Sequence, residues 1–331
     1  MTGIEISERA RKLYAEALVW DDHSGFDPDP KVDLHHLGQW KRAGVNYLSV
    51  NIGYDVVPWR KSLSTIAAFR AWVQQHPDEY VMVETVDDIA RAKREGKLAV
   101  TFDLEGMNAL DGDANMVGAY YALGVRHMLF AYNMNNLAGG GCHDDDQGLT
   151  DFGRAVIREM NRVGMVVDCS HTGYRTTMEA MEASQAPVIF SHSCSKAVWK
   201  HGRNITDDQI KACAKTGGVI GINGLGIFLG KNDISSENFV NHVTHTAEVA
   251  GVEHVGIALD YAFDTDGIED VIGDHTNYWP KDEYPGGVID FIPPEQLPEI
   301  TEVMLRRGFS DAEVTGILGG NFMRVARQVW K

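Results

Sequence analysis

Eight short, nearly continuous apolar runs recur along the chain, and they constrain its fold more than any other feature. They lie at 17–23 (ALVWDDH), 45–51 (VNYLSVN), 98–104 (LAVTFDL), 126–132 (RHMLFAY), 164–171 (GMVVDCSH), 187–192 (PVIFSH), 217–223 (GGVIGIN) and 254–260 (HVGIALD). Runs without polar–apolar alternation are what parallel strands covered on both faces require. The intervening stretches have helical periodicity. Two of them, LTDFGRAVIREMNRVG and TDDQIKACAKTGG, open on a Thr suited to cap a helix, Thr150 or Thr206, and close on Gly. Eight parallel strands with returning helices close most economically into an α/β fold of the (β/α)8 TIM-barrel type. A doubly wound open sheet is the alternative, but no Gly-rich phosphate loop follows the first strand.

No Pro-, Gly- or Ser-rich linker divides the 331 residues, so 1–331 is expected to form a single barrel domain. Segment 262–295 is irregular and acidic and reads as a long loop over the barrel mouth. Lys and Arg total 30 against 47 Asp and Glu, a net charge of −17 that repels phosphate backbones and excludes nucleic acid as an expected partner. Apolar runs such as GGVIGI fall far short of the ~20 residues of a membrane span. The opening MTGIEISERARKLY is polar and lacks the charged-then-apolar pattern of a leader, so a cytoplasmic location is expected. The cysteines, Cys142, Cys169, Cys194 and Cys213, form no CxxC pair. That removes a zinc ribbon or a thioredoxin-type motif, and Cys169 and Cys194 read as small core residues.

The chemistry collects where strands end. His23 ends the first run, Glu105 follows the third, and Tyr132 and Asn133 follow the fourth. His171, His192 and Asp260 end the fifth, sixth and eighth. In a barrel these ends converge on one face, where barrel active sites lie. Imidazoles and carboxylates buried together need a compensating charge, and a divalent cation supplies it. Such donors suit Zn²⁺, with Mn²⁺ or Fe²⁺ as alternatives. Glu105, His171 and His192 are expected as primary ligands, leaving a position for water whose pKa the cation lowers towards ~7. Asp260 is then a general base or a further ligand. The loop GGGCHDDDQG (139–148) reads as a solvated acidic loop, with His143 a spare ligand. His35, His36, His242 and His245 read as surface residues, and Trp59, in a loop after the second strand, as a packing residue, with lining of the pocket the alternative.

These residues resemble a known family. VVDCSHTG around His171 and PVIFSHSCSKAV around His192 are similar to the two histidine motifs of the membrane (renal) dipeptidases, metal-dependent barrel hydrolases of the amidohydrolase-like group. HGRNITDD around Arg203, HVGIALDYAFD around Asp260, FDLEG at Glu105 and the closing ILGGNFMRV match further segments of the same template. The resemblance implies a binuclear zinc site bridged by Glu105. His171 and His192 would hold one metal, and a His-x-Asp pair on the first strand the other. Here that pair is His23 and Gly25; glycine cannot coordinate, so one cation per chain is expected over two. Asp21 and Asp22 are poor substitutes for the missing Asp, because neighbours on a strand face opposite ways. Where the family has a His that polarises the substrate carbonyl, this chain has Tyr132, which can donate to an oxyanion. Arg203 matches the residue that grips the substrate carboxylate, a task its planar fork suits; a surface ion pair with Asp207 or Asp208 is the other reading. Tyr132 and Asn133 are expected to help bind substrate.

The implied activity is hydrolysis of an amide in a dipeptide or related carboxylate-bearing small molecule, in a homodimer. A divergent one-metal enzyme acting on a non-peptide amide, or a non-catalytic ligand-binding barrel, are the alternatives.

Overall fold

In the computed structural model, residues 3–25, 27–145, 147–262, 275–284, 286 and 288–331 are described. All eight expected runs contain strands: β1 (Trp20–Ser24), β2 (Tyr47–Tyr54), β4 (Leu98–Glu105), β5 (Val125–Leu129), β6 (Val166–Asp168), β7 (Val188–Ile189), β8 (Ile220–Asn223) and β9 (Val255–Ala258). One three-residue strand, β3 (Tyr80–Met82), was not anticipated. It lies along the lower part of β4, Tyr80 opposite Leu98, while β5 pairs with the upper part from Phe102 to Glu105.

Every pairing between these strands is parallel, in the order β1-β2-β4-β5-β6-β7, with β8 and β9 as a further pair. Two seams close the ring. Phe190, just past β7, bridges to Ile220 of β8, and Ser24 of β1 bridges to Tyr261, just past β9. The second seam is held by Asp260 N–H donating to His23 O at 3.0 Å and Gly25 N–H to Tyr261 O at 3.1 Å. The expected eight-stranded parallel barrel is therefore present, with β3 as an addition beneath it.

The helices expected from capping form as read. Thr150 accepts from Gly153 N at the start of helix Asp151–Val163, which ends at Gly164 in a left-handed conformation. Thr206 and Gln209 form a capping box on helix Asp207–Lys215. Outward-facing Leu48, Val50, Phe102, Leu104 and Met128 join the main core, which includes helix residues such as Phe69, Val156 and Ile157. A second cluster closes the lower end, where Trp20 stacks on Tyr47 with centroids 3.6 Å apart beside Phe322, Val325 and Val329. Gly319 is required there, because a Cβ would stand 2.4 Å from Leu18 O.

Several local expectations change. Trp59 begins the helix Trp59–Gln75 and carries Arg60 over its ring at 4.9 Å, so it is not a loop residue. His242 is fully buried, bonded to Ser195 N and Leu229 O, whereas His35 and His36 are exposed as expected. Among the described residues of the 139–148 loop, Asp144, Asp145 and Gln147 are exposed, while Gly139, Gly140 and Gly141 are buried, because the chain there bridges back from Gly141 to Thr172. Much of the expected mouth loop, 263–274 with 285 and 287, lies outside the described residues. Among the described residues no helix is long and apolar enough to cross a membrane.

Candidate active site

The barrel brings His23, Glu105, His171, His192 and Asp260 together at the carboxyl ends of the strands. Glu105 Oε2 lies 3.1 Å from His171 Nε2 and 3.3 Å from His192 Nε2, and these two nitrogens are 2.9 Å apart. The other oxygen, Oε1, is 3.7 Å from His23 Nε2, which is 3.4 Å from Asp260 Oδ1. His23 and His192 stack face to face, centroids 3.9 Å apart.

Each imidazole is fixed from behind. His171 Nδ1 meets Asn133 Oδ1 at 2.7 Å, and the Asn133 amide donates its other end to Tyr278 O. Ser191 donates its hydroxyl to Asp168, so its oxygen accepts from His192 Nδ1 at 2.8 Å. His23 Nδ1 meets Asp103 Oδ1 at 3.1 Å. With every Nδ1 engaged, all three Nε2 atoms face Glu105. A hydrogen bond that sets the tautomer this way is the usual support of a metal-binding histidine.

Electrostatics point the same way. Burial, with Arg203 and His23 nearby, holds His171 well below the usual imidazole range; burial, with His23 and Arg203 nearby, does the same for His192. Two neutral imidazoles then aim lone pairs at each other across 2.9 Å, an arrangement that needs a cation or a proton between them. Burial pushes Glu105 up to about 8 despite His23. Burial also pulls on His23, but Asp103 and Glu105 together raise it well above its ordinary value. The separations of 2.9, 3.1 and 3.3 Å are the edges spanned by ligands ~2.1 Å from one ion. Glu105, His171 and His192 thus fit a divalent cation, and His23, His192 and Asp260 form a looser second group.

Asn133, His171 and Asp260 all adopt left-handed backbone conformations, at φ 62°, 60° and 51°. Such residues cost on the order of 1–3 kcal/mol each and gather where a side chain must be aimed. Asn223 Nδ2 donates to Asp260 Oδ2 at 2.9 Å, leaving Oδ1 facing His23.

Arg203 is 2% exposed and is not a surface residue paired with Asp207 or Asp208. Its Nη1 donates to Ser193 Oγ at 3.1 Å and Nη2 to His192 O at 2.8 Å, while the buried Nε has no partner among the described residues. Tyr132 stacks on His171 at 4.2 Å and adjoins Tyr54 and Trp279, so aromatic rings wall one side of the ligand cluster. Asn133 thus also orients His171, through Oδ1, while its amide nitrogen donates to Tyr278 O. His143 meets the Tyr284 hydroxyl at 3.1 Å. Asp21 accepts from Trp40 Nε1 and Leu259 N, and Asp22 from Trp20 Nε1. β1 is irregular between Asp21 and Ser24, so Asp22, like His23, reaches the interior, where it lies 3.9 Å from His127.

Sequence reasoning missed Asp103, Asn51, Ser191, Asn223 and Asp55. Asp103 sits two residues before Glu105, on the same face of β4. Asn51 lies opposite Asp103 in the register and donates to both carboxylates, at 3.0 and 3.1 Å. Asp55 accepts from Asn108 N, Tyr132 N and Asn136 Nδ2, tying together the ends of β2, β4 and β5.

The family model for membrane dipeptidases, peptidase family M19, matches residues 44–278. The chain belongs to that family. An uncharacterised dipeptidase of Schizosaccharomyces pombe is 31% identical over 299 residues, 86% of this chain and 65% of that protein. Dipeptidase tcpJ of Claviceps purpurea is 31% identical over 317 residues, 90% of this chain and 69% of its own length. The chain thus spans about two thirds of these curated relatives. Among solved structures, an amidohydrolase from Pseudomonas aeruginosa superposes with a TM-score of 0.88 at 26% identity, covering 97% of this chain and 99% of that one. A metallo peptidase from Rhodobacter sphaeroides, solved with a phosphinate mimic of the dipeptide L-Ala-D-Ala, superposes at 0.76 and 18% identity over 95% and 99% of the two chains. At that identity the likeness shows the fold, a TIM barrel of this M19 type.

Proposed function

We propose that this M19 chain is a metal-dependent hydrolase that cleaves the amide of a dipeptide or a related carboxylate-bearing small molecule. The observation that carries the reading is the convergence of His171 Nε2, His192 Nε2 and Glu105 Oε2 within 3.3 Å, beside a buried Arg203 with a spare donor. Glu105, His171 and His192 would hold the cation, with His23 a ligand of any second one; nitrogen and carboxylate donors favour zinc, with Mn²⁺ or Fe²⁺ next. When bound, it would polarise the scissile carbonyl and activate water.

The chain's own groups supply the rest. Arg203 Nε, buried without an acceptor among the described residues, gains one from the substrate carboxylate, since an unmade bond there costs ~1–3 kcal/mol. That grip fixes the carbonyl beside the ligand cluster. Asp260 Oδ1, aimed by Asn223, takes the proton from the attacking water and returns it to the leaving amine. The Tyr132 phenol faces the oxyanion from the β5 side, and the surrounding aromatic rings keep bulk water away. The whole of 1–331 acts as one barrel domain in this reading, as a homodimer by analogy with the family. Four free cysteines fit a reducing, cytoplasmic setting.

The matched relatives named dipeptidases support the substrate class. Gly25 and Tyr132 favour a second reading, a one-cation enzyme on a non-peptide amide. Assays with a panel of dipeptides and their C-terminal amides, with added Zn²⁺ or Mn²⁺, separate the two. The proposal expects free amino acids from dipeptides and at least ~10-fold slower turnover of the amides. Cleavage of non-peptide amides alone favours the second reading.

A further inference from the structure

The two donor groups at the barrel mouth are unequal. In the first, the His171, His192 and Glu105 Oε2 atoms stand 2.9–3.3 Å apart, and both imidazoles are locked through Nδ1. In the second, His23 Nε2 is 3.4 Å from Asp260 Oδ1 and 3.7 Å from Glu105 Oε1. His192 belongs to both groups by distance, yet it has one free nitrogen, and that atom already stands 2.9 Å from His171 Nε2. The second group therefore keeps His23, Asp260 and one oxygen of a shared carboxylate.

Among the described residues nothing nearby completes it. Gly25, two residues beyond His23, has no side chain, and the space beside it is tight. A Cβ there would stand 3.3 Å from Ala262 Cβ and 3.4 Å from both Ala262 N and Asp260 O. Asp21 and Asp22 are committed to Trp40, Leu259 N and Trp20. Asp103 is held by His23, Ser49 and Asn51.

We propose that the chain binds two divalent cations of very different affinity: a retained one at Glu105, His171 and His192, and an exchangeable one at His23 and Asp260 bridged through Glu105. The proposal rests on the metallohydrolase reading and adds to it that Gly25 and Ala262 set the inequality. A weakly held second cation leaves Asp260 Oδ1 available as a proton acceptor in most molecules.

The test is Mn²⁺ titration of the full chain after chelation, followed by equilibrium dialysis with metal analysis and by electron paramagnetic resonance. Two binding steps are expected, the second at least ~100-fold weaker, given that losing even an outer partner of a ligand costs 10–100-fold. Because Glu105 offers one oxygen to each position, the second step should convert the single-ion signal into that of a coupled pair. Asp260→Asn and His23→Gln should each abolish the second step and spare the first. Gly25→Asp combined with Ala262→Gly should tighten the second. Two equally tight equivalents, a single equivalent at saturation, or a second step indifferent to both Asp260→Asn and His23→Gln would overturn the proposal. Failure to bind any cation would instead overturn the metallohydrolase reading. Circular dichroism of each variant checks folding, and the two single substitutions act independently should one fail to fold.

Discussion

At the scale of single residues, three side chains have separable tasks. Asn at position 260 can still accept the bond from Asn223, so Asp260→Asn removes chiefly a proton-accepting oxygen. Its kcat on the best dipeptide should fall by at least ~10²-fold while the retained cation stays bound, as steady-state kinetics with metal analysis would show. Arg203→Met should act on binding, raising KM for carboxylate substrates by about 10–100-fold with little change for a neutral analogue. Tyr132→Phe keeps the ring against His171 and deletes only the hydroxyl. A fall in kcat of about 10–100-fold at nearly constant KM is expected, and unchanged kcat would take Tyr132 out of the oxyanion role. Residue by residue, the ligand types were legible because strand ends in a barrel must converge. Their supports were not, because Asn51 and Asp103 meet only through the β2–β4 register, which no local pattern encodes.

Among the elements, the ends of β2, β4 and β5 are joined by Asp55, a buried carboxylate that, among the described residues, accepts from Asn108 N, Tyr132 N and Asn136 Nδ2 and from no cation. Gly106 makes room for it, since a Cβ there would lie 2.1 Å from the Asp55 carboxylate. Burial pushes the Asp55 carboxyl up to about 6, against ~3.9 in an unfolded chain. The folded state therefore binds this proton more tightly. The stability linked to it is complete below pH ~3.9 and is lost as pH rises through about 6. Asp55→Asn, which cannot titrate, should flatten the decline in urea midpoint between pH 4 and 6 relative to the parent chain. An unaltered slope would place the titration elsewhere. Strands and capped helices were read correctly here because long apolar runs and Thr…Gly punctuation are local signals. β3 escaped because three residues carry too little pattern, and buried His242 because a polar residue on a helix gives no sign of the loops packed over it.

For the molecule as a whole, function depends on closing the ring. The seam from Ser24 to Tyr261 sets His23 beside Asp260, residues 237 positions apart that share a backbone hydrogen bond and a place at the barrel mouth. The barrel was legible from the number and type of strands. The inward turn of Asp22 was not, because it follows from an irregularity in β1 that the sequence does not announce. The central claim is that a cation held by Glu105, His171 and His192 enables dipeptide hydrolysis. The most direct measurement follows bound metal and the rate of dipeptide cleavage together, through chelation and Zn²⁺ reconstitution, in the parent chain and in Glu105→Gln. The rate should vanish with the cation, return in proportion to its rebinding, and stay absent in Glu105→Gln. Full turnover by a metal-free chain, or a fully loaded chain that cleaves no dipeptide, would contradict the account.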